Sequence, residues 1–183
     1  IYYKSTQRKT MAVTSMGYGN DPYYINEKNR FEYSGVISIP SSVTYGKAYN
    51  VDEIDRLGLY GMQHLQKTII AASISIIGGR AFEDCQQMQR VEFGTGSVLS
   101  RMDERAFYRC KTLDKVALPN GLYLIDKSTF RYCRDLKTIT LPSKLSMIDE
   151  YGFANCVSLK NITLPASLAS IQNYCFAFDD VLA

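Results

Sequence analysis

Five cysteines, one histidine and several adjacent acidic pairs are the side chains of this chain whose types could do chemistry. Cys85, Cys110, Cys133 and Cys156 recur at a nearly fixed interval, and Cys175 stands outside it. An interval of some two dozen residues is not zinc-ligand spacing, which sets pairs of ligands a few residues apart. An odd number of cysteines in a chain this long also argues against a disulfide framework. A catalytic thiol or hydroxyl needs a base within reach. The one histidine, His64, lies between Gln63 and Leu65 with no fixed partner and reads as a surface or turn residue. Asp52-Glu53, Asp103-Glu104 and Asp179-Asp180 have the residue types of a glycosidase carboxylate pair. Each is sequence-adjacent and turn-placed, so each reads as solvated surface. The zinc-protease, nucleophile-elbow, P-loop and Cys-x-x-Cys patterns are absent from the sequence. Gly94-Thr95-Gly96 is too short to cradle a phosphate. Asn161-Ile162-Thr163 is a formal glycosylation sequon, but it falls on a predicted strand where a glycan fits poorly. The expectation is a non-enzymatic protein with no catalytic residue, cofactor or metal.

The cysteines make sense as one column of a repeat. Phenylalanine stands at Phe82, Phe107, Phe130, Phe153 and Phe176, at intervals of 25, 23, 23 and 23 residues. Three residues after the first four come the cysteines, and Asp179 follows the fifth. Six residues after each Phe stand Met88, Leu113, Leu136, Leu159 and Leu182. Val91, Val116, Ile139 and Ile162 follow, then Phe93, Leu118, Leu141 and Leu164. Before each Phe, Ile77, Met102, Ile125, Ile148 and Ile171 form one column, and Ile74, Leu99, Leu122, Leu145 and Leu168 another. The period continues upstream in eroded form through Leu59, Met62, Leu65 and Ile70, with Thr68 where Val or Ile is expected. A fixed period of this length is the signature of a stacked repeat, because one unit cannot bury its own apolar side.

Within a unit, Leu-x-x-Ile-x-Leu alternates with period two, which predicts a short strand, and the following proline ends it. The Ala-Phe-x-x-Cys segment has helical spacing but room for about one turn. The predicted fold is a leucine-rich-repeat solenoid. Short parallel strands line one face; short strands, turns and 3-10 or single-turn helices line the other. A β-rich N-terminal cap and an uncapped C-terminal end complete it. In such a stack Phe fills the wide end of each coil against the next Phe. Cys is a small, readily buried residue with a weak S–H donor, suited to a tight bend. The environment of Cys175 is left open.

The phrase Leu-Pro-x-x-Leu-x-x-Ile-x-x-x-x-Phe-x-x-Cys-x-x-Leu-x-x-Ile resembles the BspA-like, or Treponema pallidum-type, leucine-rich repeats. The lead-in YSGVISIPSSVTYGKAYNVDEI resembles that of Bacteroides family members. The resemblance covers Tyr33 to Leu182 and fixes Cys, Phe and Pro as well as leucines. It departs at Leu59 and Met62, where Phe and Cys are usual, and at Gly94, where Pro is missing. It implies a secreted or cell-surface bacterial protein that binds other molecules.

Residues 1–35 do not keep the period and are rich in tyrosine (Tyr2, Tyr3, Tyr18, Tyr23, Tyr24, Tyr33). They are expected to cap the first coil, which would otherwise expose apolar residues and strand edges; the alternative is a tyrosine-rich binding surface. Residues 36–183 are expected to form the solenoid, about six rungs, with a β-hairpin insertion near 43–51 folded at Gly46-Lys47. The chain stops in mid-repeat at CFAFDDVLA, which suggests truncation or end-to-end self-association.

Bulk composition narrows the partners. At 46% hydrophobic and 21% charged the chain is globular, and no segment is apolar for long enough to span a bilayer. A net charge of +3 without a dense basic run argues against nucleic acid. What remains is the strand face. Outward positions form one line of Lys67, Arg90, Lys115, Thr138 and Asn161 and another of Ile69, Glu92, Ala117, Thr140 and Thr163. Gln66, Gln89, Asp114, Lys137 and Lys160 flank them. Regular strands hold such a surface rigid, at low entropic cost to a partner. The leading expectation is a module that binds a host or microbial protein or glycan through Lys67, Arg90, Glu92, Lys115, Lys137, Thr138, Thr140, Lys160, Asn161 and Thr163. The cationic half favours an anionic partner. A solvated polar face on a spacer domain is the alternative, and a hydrolase using surface carboxylates the third reading.

Overall fold

The structure, a computed structural model, describes residues 2–5, 11–14 and 35–177. Residues 35–177 wind as a succession of strand and turn segments whose columns stack from coil to coil. The longer strands are β3 (Gly35–Ile39), β6 (Leu65–Ile70), β8 (Arg90–Phe93), β10 (Lys115–Ala117) and β12 (Thr138–Thr140). They form one parallel sheet in the order β12-β10-β8-β6-β3. Their alternation does what the sequence pattern dictates: Val116 and Ile139 point inward, while Lys115, Ala117, Thr138 and Thr140 stay exposed.

A second column consists of two-residue strands between the sheet and the Phe turns. It comprises β7 (Ile76–Ile77), β9 (Arg101–Met102), β11 (Leu124–Ile125), β13 (Met147–Ile148) and β14 (Ser170–Ile171). They pair in parallel as β7-β9 and as β11-β13-β14, and β7 pairs on its other side with β5 (Lys47–Ile54). β5 (Lys47–Ile54) also folds back antiparallel on β4 (Ser42–Tyr45) around Gly46, which has φ of 68°. β1 (Tyr2–Ser5) and β2 (Met11–Thr14) form an antiparallel pair, and β2 joins β5. The rest of the expected cap, Tyr18, Tyr23, Tyr24 and Tyr33 included, lies outside the described residues. So do Asp179, Asp180, Leu182 and the expected C-terminal end.

The third side of each coil carries the phenylalanines. Their rings stack nearly parallel, with centroids 5.0 Å apart for Phe82–Phe107, 5.5 Å for Phe107–Phe130 and 5.4 Å for Phe130–Phe153. Phe153–Phe176 closes the series at 5.6 Å. These separations follow the coil-to-coil rise and fall in the favourable range for offset aromatic pairs. Among the described residues the Ala-Phe-x-x-Cys segments are turns, and no helix is present. The reason lies in the backbone. The residues two before and two after each Phe adopt left-handed φ: Arg105 (57°) and Arg109 (59°) around Phe107, Ser128 (56°) and Tyr132 (65°) around Phe130. A helix needs consecutive right-handed residues. Here alternate N–H groups turn outward along the axis, so Arg105, Phe107 and Arg109 donate to the carbonyls of Lys127, Thr129 and Arg131 in the next coil. The alternate groups, on Ala106, Tyr108 and Cys110, close four-residue turns within the coil. The segment is thus a ladder of turns, with backbone polarity satisfied between coils as in a sheet.

The core is continuous along the axis. Phe82, Phe107 and Phe130 are fully buried with the aliphatic columns on either side of them. Thr68, the polar intruder in the Val/Ile column, is buried too, and its hydroxyl donates to the sulfur of Met88 at 3.6 Å. Close packing of successive coils requires glycine at one point especially: a Cβ on Gly78 would lie 2.6 Å from the backbone nitrogen of Arg56.

Candidate functional site

The parallel sheet places most of the candidate residues in two stacked lines. Lys67 is opposite Arg90, Arg90 opposite Lys115, and Lys115 opposite Thr138. Glu92 faces Ile69, and Ala117 faces Thr140. Two ion pairs close over this face. The Lys67 ammonium lies 2.8 Å from the Glu92 carboxylate, and Lys137 lies 2.9 Å from Asp114. The hydrogen bond to Asp114, and then its charge, raise the Lys137 ammonium above its ordinary value. Both pairs are solvent-exposed, where such contacts hold little energy. Arg90 and Lys115, between them, are exposed and have no ion-pair partner among the described residues.

Lys160, Asn161 and Thr163 are exposed but do not extend the ladder, because residues 159–165 form no strand. The preceding bond is made, with the Ser158 N–H donating to Arg134. Among the described residues β12 is thus the edge of the sheet, paired with β10 alone. Ile162 still packs against the core, half-buried.

The side chains that could do chemistry are otherwise engaged. Each ladder thiol is buried and donates to a carbonyl one coil back: Cys85 to Leu59, Cys110 to Phe82, Cys133 to Phe107 and Cys156 to Phe130. No disulfide is formed. Burial pushes the Cys156 thiol up to about 12 and holds Cys110 and Cys133 well above the usual range. Cys175, whose surroundings the sequence left open, is buried behind Phe153, with its carbonyl accepting the Phe153 N–H at 2.8 Å. His64 is exposed, and its carbonyl caps Gly35.

Asp103, of the Asp103-Glu104 pair, belongs to a column that sequence reasoning missed: Asp55, Asp103, Asp126 and Asp149 stand four residues before Leu59, Phe107, Phe130 and Phe153. Asp55, Asp126 and Asp149 each accept the N–H of the following residue, at 2.9, 2.6 and 2.6 Å, and Asp103 pairs with Arg101 at 3.0 Å. Gly78 interrupts this column, and a cleft of about 370 Å³ there is lined by Glu53, Asp55, Asp103, Glu104 and Asp126 together with Arg56, Arg80 and Arg101. Burial raises the Asp126 carboxyl above its ordinary value. Turn-holding and ion pairing account for these carboxylates.

Sequence reasoning also missed the decoration of the Phe turns. Arg105, Tyr108, Arg109, Arg131, Tyr132, Tyr151 and Tyr174 occupy the left-handed and intervening positions around successive phenylalanines. The Arg131 guanidinium lies 4.5 Å from the Tyr151 ring and 5.0 Å from Tyr132, and Tyr151 stacks on Tyr174 at 5.3 Å. The signal was present as arginine and tyrosine recurring within two residues of each Phe.

Geometry and period can now be set beside known proteins. The family model for the BspA-type leucine-rich repeat region matches residues 52–182 in six copies. The chain belongs to that family. Solved structures share the fold of this BspA-type chain. The pneumococcal vaccine antigen PcpA aligns with a TM-score of 0.70 at 24% identity, over 96% of this chain and 45% of PcpA. The T. pallidum leucine-rich repeat protein TpLRR aligns at 0.65 and 22%, over 99% of this chain and 89% of that one. A leucine-rich cell surface protein of Faecalibacterium prausnitzii aligns at 0.64 and 23%, over 95% of this chain and 49% of its own. The BspA-type chain thus spans about half the length of the Faecalibacterium protein. No curated protein matches it. No helix among the described residues is long and apolar enough to cross a membrane.

Proposed function

We propose that this chain is a non-enzymatic binding module of a secreted or surface-anchored bacterial protein, and that it engages a protein or polysaccharide through its strand face. The observation that carries this reading is the pair Arg90 and Lys115. They stand opposite one another on adjacent parallel strands, both exposed, with no carboxylate partner among the described residues. Two like charges held one strand apart favour an anionic group, and the hydroxyls of Thr138 and Thr140 beside them can donate to it. The rigid sheet presents these groups without a further ordering cost. The cell-surface description of the Faecalibacterium protein supports an extracellular setting. Engagement of the acidic side chains in turns and ion pairs supports a non-enzymatic reading.

A spacer that presents another domain is the second reading, supported by the ion pairs Lys67–Glu92 and Lys137–Asp114, which neutralise much of the face internally. The double variant R90E/K115E separates the two. On an array of extracellular-matrix proteins and glycans, wild-type binding that collapses in the variant supports the binding module. Signals that are absent, or equal in both proteins, support the spacer.

A further inference from the structure

On the turn side of the coils, away from the strand face, three guanidinium groups converge on two tyrosine rings. Arg105 and Arg109 sit 5.1 and 5.3 Å from the Tyr108 ring centroid. Arg109 also lies 5.8 Å from Tyr132, and Arg131 lies 5.0 Å from the same ring. Tyr108 and Tyr132 meet edge to face at 5.5 Å. Neither Arg105 nor Arg109 has an ion-pair partner within 4 Å among the described residues. Glu83 is the nearby countercharge; it pairs with Arg80 at 3.6 Å, is buried, and has its carboxyl raised by that burial. Arg105 and Arg109, both drawn onto the Tyr108 ring, repel one another, and one buried carboxylate already bound to Arg80 does not neutralise both.

The chemistry of the missing partner can be narrowed. A guanidinium lying over a ring keeps its N–H edges pointed outward, where they match the paired oxygens of a carboxylate or sulfate. The ring faces are already covered by arginine, so they offer no free platform for stacking nucleobases, the usual feature of single-strand binding. Arg105 and Arg109 flank Phe107 and Arg131 follows Phe130, so the cluster spans two adjacent coils, whose phenylalanine rings are 5.5 Å apart, and can meet more than one anionic group of a single chain. We propose that the Arg105–Arg109–Arg131 cluster on the turn face is a binding site for an anionic polysaccharide bearing sulfate or uronic carboxylate groups. This site stands independently of the strand-face reading.

The test measures affinity of the full chain for heparin, polygalacturonate, single-stranded DNA and poly-glutamate at two salt concentrations. Heparin reports sulfate recognition and polygalacturonate reports carboxylate recognition. The expected result is binding to at least one polysaccharide, weakened at least tenfold in R105Q/R109Q and at least threefold in R105K/R109K, which keeps charge but loses the fork. The variant K144Q, at an exposed lysine that belongs neither to the strand face nor to the arginine cluster, is expected to bind within twofold of wild type. R109Q alone, at an exposed position, is expected to lose at least threefold and serves if the double variants fail to fold. The proposal is overturned if neither polysaccharide binds, or if R105Q/R109Q or R109Q retains wild-type affinity. It is overturned equally if K144Q weakens binding as much as R105Q/R109Q does, or if DNA or poly-glutamate binds more tightly than both polysaccharides at the same salt.

Discussion

The Cys133 thiol lies 3.2 Å from the carbonyl oxygen of Phe107, one coil away. That oxygen also accepts the Cys110 N–H, so it is shared between a turn in its own coil and the thiol of the next. The same relationship joins Cys110 to Phe82 and Cys156 to Phe130, at 3.1 Å each. A thiol is small enough for the bend and supplies the one donor that the carbonyl lacks. Cys133→Ala removes that donor and leaves a small void, and should destabilise the protein by about 1–3 kcal/mol. Urea denaturation measures it. A variant within a few tenths of a kcal/mol of wild type would show that the thiol is mere filler.

The buried thiols should also be silent in the native protein. With Cys156 pushed up to about 12 and Cys175 to about 11, mainly by burial, almost no thiolate exists near neutrality. Ellman's reagent at pH 8 should find no reactive thiol until denaturant is added, and then all five. Rapid native labelling of Cys110 or Cys133 would contradict the stacked core.

The same shifts set a pH dependence. In the unfolded chain the thiols titrate near their ordinary value of 9.0; in the native state they hold their protons to higher pH. Between those limits the native state binds more protons, so stability falls as pH rises. The thiol contribution is intact below about pH 9 and is lost progressively from there towards pH 12. Urea midpoints from pH 7 to pH 10.5 should be flat at first and then decline. A midpoint that rises above pH 9 would contradict the assignment.

Position in the aromatic stack predicts unequal sensitivity. Phe130 is fully buried with a ring on each side, whereas Phe176 is 37% exposed and stacks only on Phe153 among the described residues. Phe130→Ala should cost about 3–5 kcal/mol, and Phe176→Ala markedly less. Equal losses in thermal or urea denaturation would mean that the stack does not transmit packing from coil to coil.

Two adjacent glycines offer a sharper contrast. A Cβ on Gly78 would meet the backbone of Arg56 at 2.6 Å and of Asp55 at 2.8 Å, whereas on Gly79 the nearest atom is 3.5 Å away. Backbone cannot yield as a flexible side chain can. Gly78→Ala should lower the melting temperature by several degrees, a loss of about 1–3 kcal/mol, while Gly79→Ala should be neutral or slightly stabilising. The reverse order would place the coil contact elsewhere.

The period itself was legible because a stacked coil must repeat its inward side chains. Phe82 to Phe176, Cys85 to Cys156 and the aliphatic columns therefore specified a leucine-rich-repeat solenoid and which face each strand residue would take. Helical spacing in Ala-Phe-x-x-Cys could not reveal the left-handed residues beside each Phe, because Arg105 and Tyr132 carry no marker of positive φ as glycine would. Their backbone conformation is imposed by hydrogen bonds to the neighbouring coil, a non-local cause. Pairing of Lys67 with Glu92 and clustering of Arg105, Arg109 and Arg131 on tyrosine were likewise decided in three dimensions. These contacts join residues about one coil apart or on opposite sides of a turn, and a linear pattern fixes columns without fixing which side chains reach across them. The strand expected through Asn161 did not form either: alternation sets which way side chains face, whereas pairing the backbone of residues 159–165 with β12 is a separate, non-local requirement that is not met.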